Sequence, residues 1–164
     1  MLGGSFTHRL DEVGRFIMPR AFRSSLGQSF VITRGIGCLL VMTEDRFSDI
    51  DRRTRGLADP LSVHFDPQLG RLNRQLFAEL IKTKVDGQGR VQLTPELRAH
   101  AGIDKDLVIV GVGDWIEIWS AENWQAYKQN DLTAELLIEA AAQWFGRKEA
   151  VEGDTAVPPS GSSG

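Results

Sequence analysis

A repeated segment constrains the fold of this chain more than any other feature of its sequence. Residues 11–23 and residues 86–98 align without a gap, 75 positions apart. Both copies hold an aspartate, a glycine three places later, an arginine directly after the glycine, a short apolar stretch and a final arginine. A proline follows the apolar stretch in both copies, one place later in the second. A repeat of this kind predicts two copies of one structural unit.

The similarity continues past the motif after a slip of two residues, so each unit is about 45 residues long. Hydrophobic alternation and turn residues predict strand, strand, short helix, strand, strand and a trailing helix in each unit. Gly14 and Gly89 are expected to adopt positive φ in the turn after the first strand. One hydrophobic core is marginal at this length, so we expect the two units to share a core.

The two units divide the chain and predict an α+β protein, mainly β with short helices. We assign residues 4–50 to the first unit, 51–78 to a linker and linking helix, 79–127 to the second unit, 128–149 to a C-terminal helix and 150–164 to a disordered tail. Residues 56–68 are expected to be irregular because they contain Pro60 and Pro67. Thr43, Thr94 and Ser120 are candidate N-caps of helices within the units, and Asp131 is a candidate cap for the C-terminal helix.

The charge of the chain is distributed unevenly. The net charge is −3, but residues 1–100 carry a balance of +4 and residues 101–164 a balance of −7. This asymmetry favours a basic face on the first part of the fold and an acidic extension after it. Solvated surface charges with no partner would account for the same counts.

Several functional classes are not expected from this sequence. Cys38 is the single cysteine, so it can form neither an internal disulfide nor a zinc site, and the three histidines lack metal-ligand spacing. No catalytic arrangement or phosphate-binding glycine loop stands out, so we expect no enzyme, cofactor, metal or small-molecule substrate. No apolar run reaches the roughly 18 residues that span a bilayer, and the first residues lack a secretory pattern. We therefore expect a cytoplasmic protein.

The doubled motif resembles that of the MraZ family, whose members have two tandem SpoVT/AbrB-type units. The opening Gly-Ser-Phe-Thr-His-Arg-Leu-Asp of residues 4–11 is also similar, and the resemblance covers roughly residues 4–145. Two departures are Val13, where the family often has lysine, and Thr94, which takes the place of Pro19. The resemblance implies a double swapped-hairpin β-barrel and a ring of identical subunits. It also implies a repressor that binds short direct repeats in the promoter of a division and cell-wall gene cluster.

Arginine is the residue type best suited to the DNA contact that the resemblance implies. Arg15 and Arg90 follow the glycine turn, and an arginine fork can donate two hydrogen bonds to guanine. We expect Arg9, Arg20 and Lys84 to contact phosphates, which adds affinity without sequence preference. The remaining motif residues have an expected structural role, namely Asp11, Gly14, Asp86 and Gly89. The alternative is that each Asp–Arg pair only closes its hairpin, and Arg23 and Arg98 are expected on a helix surface or core rim.

Two functions from different classes remain open at this point. The first is a double-stranded DNA-binding regulator located in the cytoplasm on the nucleoid. The second is an antitoxin-like AbrB-type regulator that also binds a partner protein through its acidic C-terminal region. A neighbouring toxin gene favours the second function, and division genes downstream favour the first.

Overall fold

The computed structural model describes residues 1–56, 59–130 and 134–153, in two compact units, Met1–Trp124 and Gln125–Gly164. The strands are β1 (Ser5–Arg9), β2 (Arg15–Ile17), β3 (Phe30–Arg34), β4 (Leu39–Thr43), β5 (Ile81–Thr83), β6 (Arg90–Gln92), β7 (Asp106–Val112) and β8 (Trp115–Ser120). The helices are α1 (Arg20–Leu26), α2 (Glu44–Gly56), α3 (Pro60–Phe65), α4 (Pro67–Phe77), α5 (Pro95–Ala101), α6 (Ala121–Asn130) and α7 (Ala134–Gly153). The expected α+β class is confirmed, although helices hold more of the described residues than strands do.

The first strand of each sequence repeat pairs with the other repeat. The larger sheet has six antiparallel strands in the order β1-β7-β8-β4-β3-β5. Its two outer strands are exchanged, because β1 pairs with β7 of the second repeat and β5 pairs with β3 of the first. The remaining two strands, β2 and β6, form a separate antiparallel ribbon. The interleaving expected from two undersized units is therefore present, while closure into a barrel stays a prediction.

The pairing register has the symmetry of a twofold rotation between the repeats. Phe6 opposes Ile109 in one outer pair, and the equivalent Ile81 and Ile32 oppose each other in the other. In two strand pairs, the same position of the two repeats lies opposite itself. Leu40 of β4 opposes the equivalent Glu117 of β8. Phe16 of β2 opposes the equivalent Val91 of β6. The pseudo-twofold axis therefore passes through the centre of the larger sheet and through the centre of the ribbon.

Both repeats contribute to one main hydrophobic core. Its side chains alternate along the strands with residues that point to the opposite face of the sheet. They include Phe16, Phe22, Phe30, Ile32, Leu39 and Val41 from the first repeat and Val91, Leu97, Leu107, Ile109, Ile116 and Ile118 from the second. A smaller cluster of Val31, Met42 and Phe47 lies on the other face of the larger sheet. Hence neither repeat holds the main core alone.

The helix boundaries follow local capping chemistry. The Thr94 hydroxyl accepts a hydrogen bond from the Leu97 N–H at 3.3 Å, and Gly102 ends α5 at φ 64°. The Thr43 and Ser120 hydroxyls likewise accept hydrogen bonds from the first turns of α2 and α6. These caps satisfy N–H groups that lack a partner within the helix. The predicted caps at these three positions are confirmed.

The segment between the repeats differs from its prediction. Residues 56–68 were expected to be irregular, yet α3 occupies Pro60–Phe65 and α4 begins at Pro67. The reason is that each proline stands at the first helical position, where its missing N–H costs nothing. The preceding Asp59 and Asp66 each accept two backbone hydrogen bonds as N-caps.

The C-terminal helix ends further along the chain than expected. It runs to Gly153 and so enters the segment predicted to be a disordered tail. The proposed cap Asp131 and residues 154–164 lie outside the described residues. Within α7, the apolar side chains of Leu136, Leu137 and Ile138 are exposed.

Replacing Phe16 with Ala should lower the free energy of unfolding by about 3–5 kcal/mol, because this 1% exposed ring lies at the centre of the shared core. All four tryptophans lie in or after the second repeat, so tryptophan fluorescence follows that part of the chain. Urea unfolding should therefore show the same shift in fluorescence and in circular dichroism. Ile36→Ala, at a 94% exposed position, is the control and should change stability by less than about 0.5 kcal/mol. A fluorescence midpoint left at the wild-type value would contradict a shared core.

Candidate nucleic-acid interface

The first Asp–Arg turn is closed by one carboxylate. Asp11 Oδ1 accepts hydrogen bonds from the N–H groups of Val13 at 3.1 Å and Arg15 at 2.8 Å. Its Oδ2 accepts a hydrogen bond from Arg15 Nε at 2.7 Å. The chain reverses at Gly14, whose φ of 81° is costly for residues with a Cβ. The carboxylate thus fixes both the turn and the arginine that follows it.

The second turn repeats this arrangement. Asp86 accepts hydrogen bonds from the backbone N–H groups of Gln88 at 2.9 Å and Arg90 at 2.8 Å, and from Arg90 Nε at 2.8 Å. Gly89 has a φ of 82°. The hydrogen bond from the Arg90 backbone N–H, with those of the Arg90 side chain and Gln88, lowers the pKa of Asp86 to about 2. The equivalent contacts lower the pKa of Asp11.

The aspartate of each turn binds the Nε atom of its arginine and leaves the Nη atoms of the guanidinium unbonded among the described residues. In Arg15 and Arg90 the Nε atom donates to the aspartate, and the side chains are 33% and 28% exposed. Their Nη atoms make no hydrogen bond to the residues that the structure describes. The planar guanidinium therefore keeps a pair of donors for an external acceptor while its orientation is fixed.

The two arginines lie on the outer face of the β2–β6 ribbon. Phe16 and Val91 point into the core from the centre of this ribbon, so their neighbours along each strand point outward. Arg15 opposes Gln92 and Arg90 opposes Ile17. The structure therefore places both predicted base-contacting residues on one face, related by the pseudo-twofold axis.

Two further arginines lie against the turns, and each comes from the opposite repeat. The Arg23 guanidinium from α1 occupies the space where a Cβ on Gly89 would stand, and the Arg98 guanidinium from α5 lies close to Gly14. Arg23 Nε also donates to the Met18 carbonyl at 2.8 Å. These residues were expected only on a helix surface or core rim. Their recurrence at one repeat position was the available signal for a role in the motif.

The remaining predicted contacts differ in their surroundings. Arg9 Nε donates to Asp106 at 2.9 Å, in an ion pair with both side chains well exposed. Arg20 on α1 and Lys84 after β5 are exposed and have no ion pair with the described residues. Arg9 and Lys84 are equivalent by the repeat, while the position equivalent to Arg20 holds no basic residue in the second repeat.

The described residues also bear on metal binding and membrane insertion. Within residues 1–56, 59–130 and 134–153, no group of three or more His, Cys, Asp or Glu side chains is placed to hold a metal ion. Among the helices of the same residues, none has the length and apolar character needed to cross a membrane.

The exchanged strands, the shared core and the doubled Asp–Arg turn define a tandem swapped-strand protein that presents paired arginines on a ribbon. The family model described as "MraZ protein, putative antitoxin-like" matches residues 1–66 and 76–148. The chain belongs to this MraZ family.

Curated relatives match most of the chain. A protein of Thermomicrobium roseum is 39% identical over 127 residues, which cover 77% of this chain and 86% of the relative. A protein of Caldanaerobacter subterraneus is 37% identical over 141 residues, 85% of this chain and 95% of the relative. One from Symbiobacterium thermophilum is 38% identical over 139 residues, 84% and 96% respectively. All three bear the name transcriptional regulator MraZ.

Replacing Asp86 with Asn should destabilise the protein at neutral pH, and the difference from wild type should shrink on acidification. The folded-state pKa of about 2 lies below the ordinary 3.8, so ionised Asp86 stabilises the native state above about pH 4. The unfolded chain binds the proton first as the pH falls. Wild type therefore loses this contribution between about pH 4 and about pH 2, while the Asn variant has none to lose.

Urea midpoints of both proteins, measured across this pH range, provide the test. Glu12→Gln is the control, because Glu12 is an exposed carboxylate of the equivalent turn in the first repeat and accepts no hydrogen bond from the described residues. A difference between wild type and Asp86→Asn that stays constant down to about pH 2 would show that the turn does not depend on ionised Asp86.

Proposed function

We propose that this chain is a sequence-specific, DNA-binding transcriptional regulator that reads bases through Arg15 and Arg90. The observation that carries the proposal is the pair of Nε-anchored guanidinium groups on one face of a two-stranded ribbon. The names of the relatives support the regulatory role.

An anchored arginine suits guanine better than a mobile one. Guanine presents two acceptors, O6 and N7, in the major groove, and an arginine fork donates to both at once. The aspartate has already restricted the long side chain, so less rotamer entropy is lost on binding DNA. Asp11 and Asp86 therefore act indirectly, by orienting the residues that touch the bases.

The ribbon that carries these arginines has a suitable size for the major groove. That groove admits a two-stranded antiparallel ribbon. Arg15 and Arg90 are diagonal neighbours across the ribbon, and such positions lie about 7–8 Å apart. This separation is roughly two base steps at about 3.4 Å each. One subunit is thus suited to a short element with one guanine on each strand.

Three basic residues near the ribbon supply phosphate contacts in this proposal. Lys84 and Arg20 are exposed and unpaired among the described residues. Arg9 is paired with Asp106, but an exposed ion pair contributes little and a phosphate can compete for the guanidinium. These contacts add affinity that depends on salt but not on sequence.

The finer biological role follows the family resemblance. We infer a repressor, located in the cytoplasm on the nucleoid, that acts on the promoter of a division and cell-wall gene cluster. Its operator is a set of short direct repeats. A closed ring of identical subunits presents one ribbon per subunit in the same sense, and several weak contacts then act together.

DNA selected from a random pool by the wild-type protein provides the operator for the main test. Arg15→Ala and Arg90→Ala should each weaken operator binding by about 1–3 kcal/mol per occupied site and flatten the preference over scrambled DNA. Arg15→Lys keeps the charge but not the fork, so it should lose preference as Arg15→Ala does. Lys84→Ala should weaken both DNAs alike and lower the salt slope by about one.

Titrations at several salt concentrations separate these outcomes. Arg53→Ala, at an exposed arginine of α2 outside the ribbon, is the matched control for loss of one positive charge. If Arg15→Ala and Arg90→Ala remain folded and bind the operator as wild type does, the two arginines only close their hairpins.

Ring assembly has its own measurement. The exposed apolar side chains of α7, Leu136, Leu137, Ile138 and Phe145, exceed what a solvated helix needs and support a subunit interface. Light scattering at micromolar concentration should give a multiple of the chain mass. Ile138→Glu should lower that mass, and Gln143→Glu, which adds the same charge at an exposed position of α7, should not. A monomer mass for wild type would contradict the ring.

A further inference from the structure

The DNA-facing side of the ribbon is symmetric in its arginines and asymmetric in their neighbours. Ile17 and Gln92 occupy equivalent positions, each two residues after its arginine. Both point outward, since Phe16 and Val91 between them and the arginines are buried. Ile17 is 40% exposed and Gln92 is exposed as well. Equivalent places beside the two guanidinium groups thus carry an apolar group and an amide.

The strand register gives each arginine a different partner. Arg15 lies directly opposite Gln92, and Arg90 lies directly opposite Ile17. Directly opposed residues have Cβ atoms about 4.5–5.5 Å apart. Each neighbour can therefore reach the base pair next to the guanine that its arginine contacts.

The two neighbours prefer different bases. A glutamine amide makes two hydrogen bonds to adenine N6 and N7, and an apolar side chain contacts the thymine methyl group. Gln92 Nε2 donates one hydrogen to the Val13 carbonyl at 3.2 Å and keeps a second hydrogen. Its Oε1 accepts no hydrogen bond from the described residues. The amide is thus held in place and still able to contact adenine.

We propose that Ile17 and Gln92 give the DNA site a direction, with adenine preferred beside the guanine of Arg15 and thymine beside the guanine of Arg90. This inference rests on the proposed function. A symmetric homodimer of single units would present the same neighbour twice. Here the two repeats are parts of one polypeptide and can differ.

The turn tips repeat the same contrast. Val13 in the first repeat is 54% exposed, and the equivalent position in the second repeat holds the exposed Gln88. The first repeat therefore presents apolar groups and the second presents amides along the whole outer edge of the ribbon. A direction within each element also suits a ring, whose subunits all face the same way and need elements that do too.

Selection of bound DNA from a random pool by four proteins tests the inference. Wild type should select two guanines on opposite strands with unlike flanks, that is, adenine beside one guanine and thymine beside the other. Gln92→Ile should select like flanks that favour thymine, and Ile17→Gln should select like flanks that favour adenine. The double exchange, Ile17→Gln with Gln92→Ile, should select unlike flanks again. Recovery by the double exchange shows that the single variants did not act by unfolding.

DNA-binding titrations measure the size of these base preferences. Replacing the flanking adenine should weaken wild-type binding roughly 5- to 150-fold, the range for one good amide–adenine pair. The same replacement, made with guanine or cytosine, should leave the affinity of Gln92→Ile unchanged. A wild-type motif with like flanks, or a Gln92→Ile motif that keeps unlike flanks, overturns the inference.

The outcomes also separate this inference from the proposed function. If wild type selects no motif, sequence-specific binding fails and the inference fails with it. If Arg15→Ala and Arg90→Ala select the wild-type motif, the assignment of those arginines fails, while the flanking base pairs still decide the role of Ile17 and Gln92.

Discussion

The exchange of first strands is the constraint on which the rest of the structure depends. A unit of about 45 residues buries too little apolar surface to fold alone, so each repeat completes its sheet with a strand from the other. The same interleaving brings β2 against β6, since these strands have no other partner in the described part of the fold. The candidate DNA-binding face is therefore a product of both repeats, and Arg23 and Arg98 each lie against the turn of the opposite repeat.

One carboxylate in each turn binds both the backbone of the hairpin and the side chain of the following arginine. Asp11 and Asp86 close their hairpins through backbone hydrogen bonds and orient an arginine through its Nε atom. The sequence presented these roles as alternatives for the Asp–Arg pair. In the structure the two roles are compatible, because the aspartate closes the hairpin and holds Nε while the two Nη atoms keep N–H donors for another acceptor.

Local signals in the sequence predicted local structure well. The repeat located the strands, the positive-φ glycines and the caps at Thr43, Thr94 and Ser120. The prolines of residues 56–68 were interpreted as helix breakers, although an aspartate directly before each one marks a helix start. The register of the three-residue strands β2 and β6 could not be predicted, since it depends on how distant segments interleave. The residues that lie opposite the two arginines could not be predicted either, because they depend on the same register.

The strand exchange also has a consequence for how the chain folds during synthesis. β1 must wait for β7, and β2 for β6, so the first repeat leaves the ribosome with two strands whose partners do not yet exist. Unpaired strand edges invite association with other chains, and contacts of long sequence separation form slowly. The segment that joins the repeats shortens this exposure, because it makes strand exchange an intramolecular step with a high effective concentration. Folding of the core is then first order, whatever the amount of protein in the cell.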